Sequence, residues 1–228
     1  MSLAMEVSSL LTKRYLLALG LVSGLCLLMF GFRILATGTF RYWFIPQNLA
    51  LAWLALLFGW LLVVELGKQR WLSWQNLILS VIWLVFLPNA WYVLTDFLHV
   101  YTTGEISPLF DIAMMTSLMF CGFALGFISL FLVHQQFLKR LQPRAAHLAI
   151  AAILLFSSFG VYLGRDLRWN TWDVVKDPGG IILNVSDRVI DPFGHPRAIT
   201  ITALFFILLS TLYAAIWLAT GPHKVKRP

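Results

Sequence analysis

Long apolar runs, interrupted by short clusters of Lys, Arg, Asp and Gly, dominate the chain from near its start to near its end. A helix needs about 20 apolar residues to cross the hydrocarbon layer, and lipid obliges the backbone to satisfy its own hydrogen bonds. Six segments meet that requirement: Tyr15–Leu35, Gln47–Leu66, Trp71–Leu98, Leu109–Val133, Ala145–Gly164 and Ile199–Thr220. The pattern predicts an all-α polytopic bundle of about six transmembrane helices, forming one integral-membrane domain over residues 1–228. The third run is too long for one straight span and contains Pro88. Proline removes a helix donor and crowds the carbonyl four residues back, so a kink is expected near Leu84–Leu87. The first run follows Lys13-Arg14 as in a signal peptide, but it is longer than such regions and lacks a small-residue exit, so it reads as a retained helix.

Composition agrees with this picture. The chain is 60% hydrophobic and 12% charged, with mean hydropathy +0.81, whereas soluble domains carry roughly a quarter charged residues. A net charge of +7 suggests a nucleic-acid partner in a soluble protein. Here the basic residues instead cluster between apolar runs, without the patterning of a nucleic-acid binder, and nucleic acid is excluded as a partner. Ten Lys and Arg fall on one side of the predicted topology: Lys13, Arg14, Lys68, Arg70, Lys139, Arg140, Arg144, Lys224, Lys226 and Arg227. Seven fall on the other: Arg33, Arg41 and five, Arg165, Arg168, Lys176, Arg188 and Arg197, in one long loop. Long loops weigh less in such a count, so both termini are expected in the cytoplasm. Cys26 and Cys121 sit inside apolar runs and support neither a disulfide framework nor a cysteine metal site.

Two polar stretches stand out against the apolar background, both on the predicted outer side. The first, "FLPNAWYVLTDFLH", closes the third helix. If it remains α-helical, Asn89, Tyr92, Asp96 and His99 share a face by their spacing. An ionisable group near the bilayer centre costs roughly 2.5–3.5 kcal/mol, so Asp96 should face the bundle interior and have a partner. Asp96 and His99 offer two ligands, fewer than a zinc site requires, and no metal is assigned. Alternatively, Asn89 satisfies a carbonyl freed by Pro88, and Asp96 and His99 mark the water boundary. Asp111, in the first turn of the fourth helix after Ser107-Pro108, reads as a complement to the helix dipole. Glu105 reads as solvated loop.

The second stretch, "GRDLRWNTWDVVKDPGG", opens the long outer loop over residues 165–198, where short amphipathic helices are expected. Its acidic and basic residues balance, which predicts a self-paired cap. Asn170 and Asp173 imitate a capping box. Ile181, Ile182, Val185 and Val189 repeat at helical spacing, as in a helix lying on the membrane or the bundle top. Arg165 and Arg168 adjoin the membrane end of the fifth helix, either as snorkelling anchors or as partners for Asp96 or an anionic ligand. On the second reading, Asn89, Tyr92, Asp96, His99, Arg165, Arg168, Asn170 and Asp173 form one outward-facing polar site.

These stretches resemble the paired signature of an uncharacterised bacterial membrane family, domain of unknown function 1361. Pro88, Asn89, Ala90, Tyr92, Thr95, Asp96 and His99 match its first part, and Gly164, Arg165, Trp169, Asn170, Thr171, Trp172 and Asp173 match its second. Trp91 replaces an expected second proline, and Asp166 an expected apolar residue. The resemblance implies a bacterial inner (plasma) membrane or thylakoid location and supplies no substrate. Three function classes follow: binding or transport of a small molecule or ion at the outward site, an enzyme acting on a lipid-linked or periplasmic substrate, and an accessory or assembly subunit. The first suffers from a thin inner relay of Glu65, Asn76 and Ser80. The second lacks a nucleophile elbow, a metalloprotease helix and a phosphate-cradling loop. The third would use Gly122 and Gly126 as a small-residue face for a membrane-protein partner, with the lipid bilayer as the common surrounding. No cofactor is assigned.

Overall fold

The structure, a computed structural model, describes residues 13–68, 70–100 and 106–220. Eight α-helices follow in order: α1 Lys13–Thr37, α2 Phe44–Leu66, α3 Trp74–Tyr92, α4 Pro108–Arg140, α5 Pro143–Asp166, α6 Asp173–Lys176, α7 Pro178–Ile190 and α8 Pro196–Thr220. A 3-10 helix, Val93–His99, continues α3 without a break. Six of the helical segments are long and apolar enough to cross a membrane, the third being α3 with its 3-10 extension. The molecule is thus an all-α, multi-pass membrane protein. Glu105 lies outside the described residues.

The predicted spans and observed helices agree in number and order. The largest difference is α4, which runs on to Arg140 where the apolar run ends at Val133. Its added turns carry His134, Gln135 and Gln136, all buried. Apolar periodicity cannot register a helix whose final buried face is polar.

The chain divides into two compact units, with the boundary between Gln136 and Phe137 inside α4. In the first unit, α2 and α3 pack antiparallel along their lengths. Phe44 meets His99 at one end, with ring centroids 5.0 Å apart, and Phe58 meets Phe86 nearer the other, at 5.1 Å. Glycines on α4 and α2 set how closely these helices approach. A Cβ on Gly126 would lie 2.6 Å from the Trp91 ring, and one on Gly122 would lie 2.8 Å from the Ala90 carbonyl oxygen. The small-residue pair of α4 is therefore covered by α3 of the same chain. Lower along the unit, Trp83 Nε1 donates to Ser129 Oγ at 2.8 Å, Ser129 donates to the Ala55 carbonyl at 2.8 Å, and Gly59 leaves room for both side chains. Three helices are thus fastened by one indole and one hydroxyl.

In the second unit α5 and α8 pack antiparallel. Arg197 at the start of α8 pairs with Asp166 at the end of α5, and His147 at the start of α5 meets Trp217 near the end of α8, with centroids 5.6 Å apart. Ile150, Leu154 and Val161 of α5 and Phe205, Leu209 and Tyr213 of α8 are buried. Between these spans lie the two short helices α6 and α7.

Candidate functional site

The α-helical pitch of α3 persists through Pro88, and the change in the backbone comes at Val93, where the turn tightens to the 3-10 form. Three residues per turn stack Val93, Asp96 and His99 in one row and place Tyr92 in the next row with Thr95. The face shared by four residues at α-helical spacing is therefore narrowed to Asp96 and His99. Asn89 is half-buried, and its amide donates to the Phe86 carbonyl at 3.0 Å. That is a different carbonyl from the Leu84 oxygen, which Pro88 deprives of its donor. Thr95 is buried and donates to the Tyr92 carbonyl at 2.8 Å.

Asp96 points inward. It is 2% exposed, and Asn48 on α2 donates its side-chain amide to Asp96 Oδ2 at 2.7 Å. Asn48 was not a sequence candidate, because one asparagine near the start of an apolar run carries no signal of its partner. His99 lies one 3-10 turn on, against the Phe44 ring, and its Nδ1 is buried without a hydrogen-bond partner among the described residues. A buried imidazole nitrogen left unpaired costs on the order of 1–3 kcal/mol.

The same end of the first unit holds a second buried carboxylate, and here the dipole reading of Asp111 is incomplete. Asp111 does lie in the first turn of α4, but it is 1% exposed and bound by Arg33 of α1, also 1% exposed. Arg33 Nε donates to Oδ1 at 2.8 Å and Nη2 to Oδ2 at 3.4 Å. Tyr42 donates its hydroxyl to Oδ2 at 3.0 Å, and its ring lies 4.4 Å from the guanidinium carbon. Arg33 Nη1 also donates to Thr39 Oγ1 at 3.2 Å. Arginine supplies enough donors in a planar fork to serve a carboxylate and a hydroxyl at once. Burial first, and then the hydrogen bond to Asp111, push the Tyr42 phenol up to about 12. In sequence, Arg33 counted only as a topological charge. Because it sits 78 positions from Asp111, only the tertiary fold reveals the pair.

The two clusters adjoin through aromatic rings. Tyr42 meets Phe44 edge-on at 5.8 Å, and Phe44 in turn packs on His99. All four long helices of the first unit therefore contribute to one polar layer: Arg33 from α1, Asn48 from α2, Asp96 and His99 from the end of α3, and Asp111 from α4. At the opposite end of the unit Asn76, His134, Gln135 and Gln136 are buried. Polar groups thus occupy both ends, which the shorter sequence-based estimate of α4 concealed.

The remaining candidates lie in the second unit. Asp173 Oδ2 accepts from the Asn170 backbone N–H at 2.7 Å and from its side-chain amide at 3.2 Å, which is one half of a capping box, but the short helix starts at Asp173 with Trp172 in the N-cap position and no side-chain cap bond. Arg168 has φ of 58°, the left-handed conformation that reverses the chain after α5. The following Trp169 N–H closes onto the Leu163 carbonyl at 3.2 Å. Arg168 is exposed and Arg165 half-buried, and neither enters an ion pair among the described residues. The expected self-pairing of the loop charges appears as Arg197 with Asp166, Arg188 with Asp187 at 3.3 Å, and His195 with Asp187 at 2.9 Å. No group of three metal-ligating side chains occurs among the described residues.

Fold and polar layer together define a multi-pass helical membrane protein whose ionisable groups are buried at helix ends. Residues 47–212 match the model of a family described as a protein of unknown function, DUF1361, and the chain belongs to that family. No curated protein and no solved structure matches the chain significantly.

Proposed function

We propose that the polar layer containing Asp96 is an outward-facing site that binds, or passes across the membrane, a small molecule or ion. The observation that carries this reading is the burial of Asp96 beside the unpartnered His99 Nδ1 at the end of a largely apolar span. The Asn48 amide fixes one carboxylate oxygen of Asp96, and the adjacent imidazole nitrogen can donate or accept. Buried ionisable groups inside a membrane bundle are functional candidates for this reason. The outward orientation rests on the distribution of Lys and Arg along the chain, as does a location in the bacterial inner or thylakoid membrane on the family resemblance. The contribution of Arg165, Arg168, Asn170 and Asp173 to the same function likewise rests on the sequence.

The test is thermal unfolding of the protein in nanodiscs across a panel of monovalent cations, divalent cations and small polar solutes. A ligand present at 100 times its dissociation constant adds about 2.7 kcal/mol of stability. Asp96→Asn should abolish the stabilisation given by the effective solute, Asn48→Leu and His99→Ala should weaken it, and the loop variant Asp173→Ala distinguishes whether the second stretch takes part. An unchanged response in Asp96→Asn would sink the proposal. Loss of ligand binding would separate this reading from the enzyme alternative, in which Asp96→Asn binds substrate but does not turn it over. The accessory-subunit alternative predicts instead stoichiometric co-purification with a larger complex, insensitive to all of these substitutions.

A further inference from the structure

Helix α7 is amphipathic in an unusual way: none of its residues is buried, and its most apolar side is the exposed one. Ile182, Leu183, Val189 and Ile190 are 63% to 82% exposed, and Phe193, just past the helix, is 88% exposed. At 100° per residue the four helical positions fall within about 120° of one another, an arc they share with Ser186 and Gly179. The other side is tied down. Arg188 donates to the Tyr162 hydroxyl of α5 at 3.2 Å and to the Asn184 carbonyl at 2.9 Å. The sequence-based stripe of Ile181, Ile182, Val185 and Val189 is thus split. Ile181 and Val185 are half-buried on the tethered side, and the free stripe is centred on Ile182, Leu183, Val189 and Ile190.

Location and charge indicate what meets this free stripe. The segment joins two membrane spans, and the Arg197–Asp166 pair fastens the end of α5 to the start of α8, so α7 is held beside a membrane surface at both of its ends. Trp169 and Trp172 precede it, residue types favoured at the headgroup level. The helix carries only two charged residues, Asp187 and Arg188, which pair with each other. A helix with no net charge gains nothing from anionic headgroups, so its attraction to a membrane comes from apolar area alone.

We infer that α7 is an interfacial helix that inserts the Ile182, Leu183, Val189 and Ile190 face, continued by Phe193, into the lipid beside the α5–α8 pair, without selecting anionic lipid. This inference does not depend on the proposed Asp96 site. Nitroxide labels on Leu183→Cys, Ile190→Cys and Asp187→Cys, in the full chain in zwitterionic nanodiscs, test it directly. Cys26 and Cys121 are buried, at 0% and 1% exposure, which leaves the added thiol as the accessible one. Collisions with oxygen, which concentrates in lipid, should exceed those with an aqueous nickel complex several-fold at positions 183 and 190. The order should reverse at 187, and adding anionic lipid should change nothing. Nickel-dominated collisions at 183 and 190 would mean that water covers the stripe. Low collision rates with both reagents would mean that a second copy or another protein covers it, and either result overturns the inference. A several-fold rise in the oxygen signal on adding anionic lipid would overturn its charge-independent part.

Discussion

The Arg33–Asp111 pair and the Arg197–Asp166 pair join the same two residue types at the ends of membrane helices, yet the first is buried on both sides and the second only on its Asp166 side, which is 11% exposed. Both side chains of the first pair are 1% exposed, whereas Arg197 in the second is 78% exposed. Water already solvates an exposed guanidinium, so its ion pair adds a median of about 0–1 kcal/mol. A buried pair gains more from its Coulomb attraction but has also lost its hydration, and removing one partner strands a charge in a place that cannot solvate it. The first pair therefore locks α1 to α4 from within, while the second ties the ends of α5 and α8 from the water-exposed side of Arg197.

Substitutions separate the two pairs in descending order of effect. Arg33→Met should destabilise the protein by about 3–5 kcal/mol, measured by reversible denaturation in detergent, because Asp111 is left buried and uncompensated. Adding Asp111→Leu should recover much of that loss, since the stranded charge is then gone as well. Tyr42→Phe should cost about 1.5–3 kcal/mol, the usual range for a hydrogen bond to a charged group. It should also alter the alkaline limb of stability. The folded phenol ionises near 12, above its ordinary value of 10.0, so the folded state holds that proton more tightly than the unfolded chain does. The resulting stabilisation is complete below pH 10 and is lost between pH 10 and about 12, and Tyr42→Phe should flatten that decline. Arg197→Ala should cost clearly less than Arg33→Met, because Arg197 is already solvated and only Asp166, at 11% exposure, loses a partner. Equal losses from Arg33→Met and Arg197→Ala would show that burial is not what distinguishes the pairs.

The polar layer also corrects how its individual residues are read in isolation. Asp96 was a candidate from sequence because an acidic residue inside an apolar run is conspicuous. Asp111 has the same chemistry, but its position in a first turn supplied a sufficient local explanation, and Arg33 had one as a topological charge. Local explanations are complete only for residues whose partners are local, as with Asn170, whose backbone and side-chain N–H groups both donate to Asp173. Arg168 shows another limit. Nothing in its residue type forecasts a left-handed turn position, since glycine or asparagine is the usual occupant.

The glycines of α4 bear on the competing functional readings. Small residues four apart suggest a helix–helix contact but not its owner. Trp91 and Ala90 occupy that contact from within the chain, so Gly122 and Gly126 no longer speak for a separate partner. By contrast, the exposed stripe of α7 is apolar surface that the chain leaves uncovered, and it is there that an external surface has to be sought.

Sequence alone determined the helical class, the number and order of the membrane spans and the presence of a conspicuous carboxylate, Asp96, at the end of the third. These follow from free energies that act locally, residue against lipid and backbone against itself, and they leave a periodic trace in the chain. The tertiary structure alone decided that Arg33 and Tyr42 hold Asp111, that Asn48 holds Asp96, that Asp96 and His99 stack on a 3-10 turn, and which stripe of α7 stays exposed. Those features depend on which groups meet across tens of residues, and desolvation at each meeting point, not the spacing of any one segment, sets their energy.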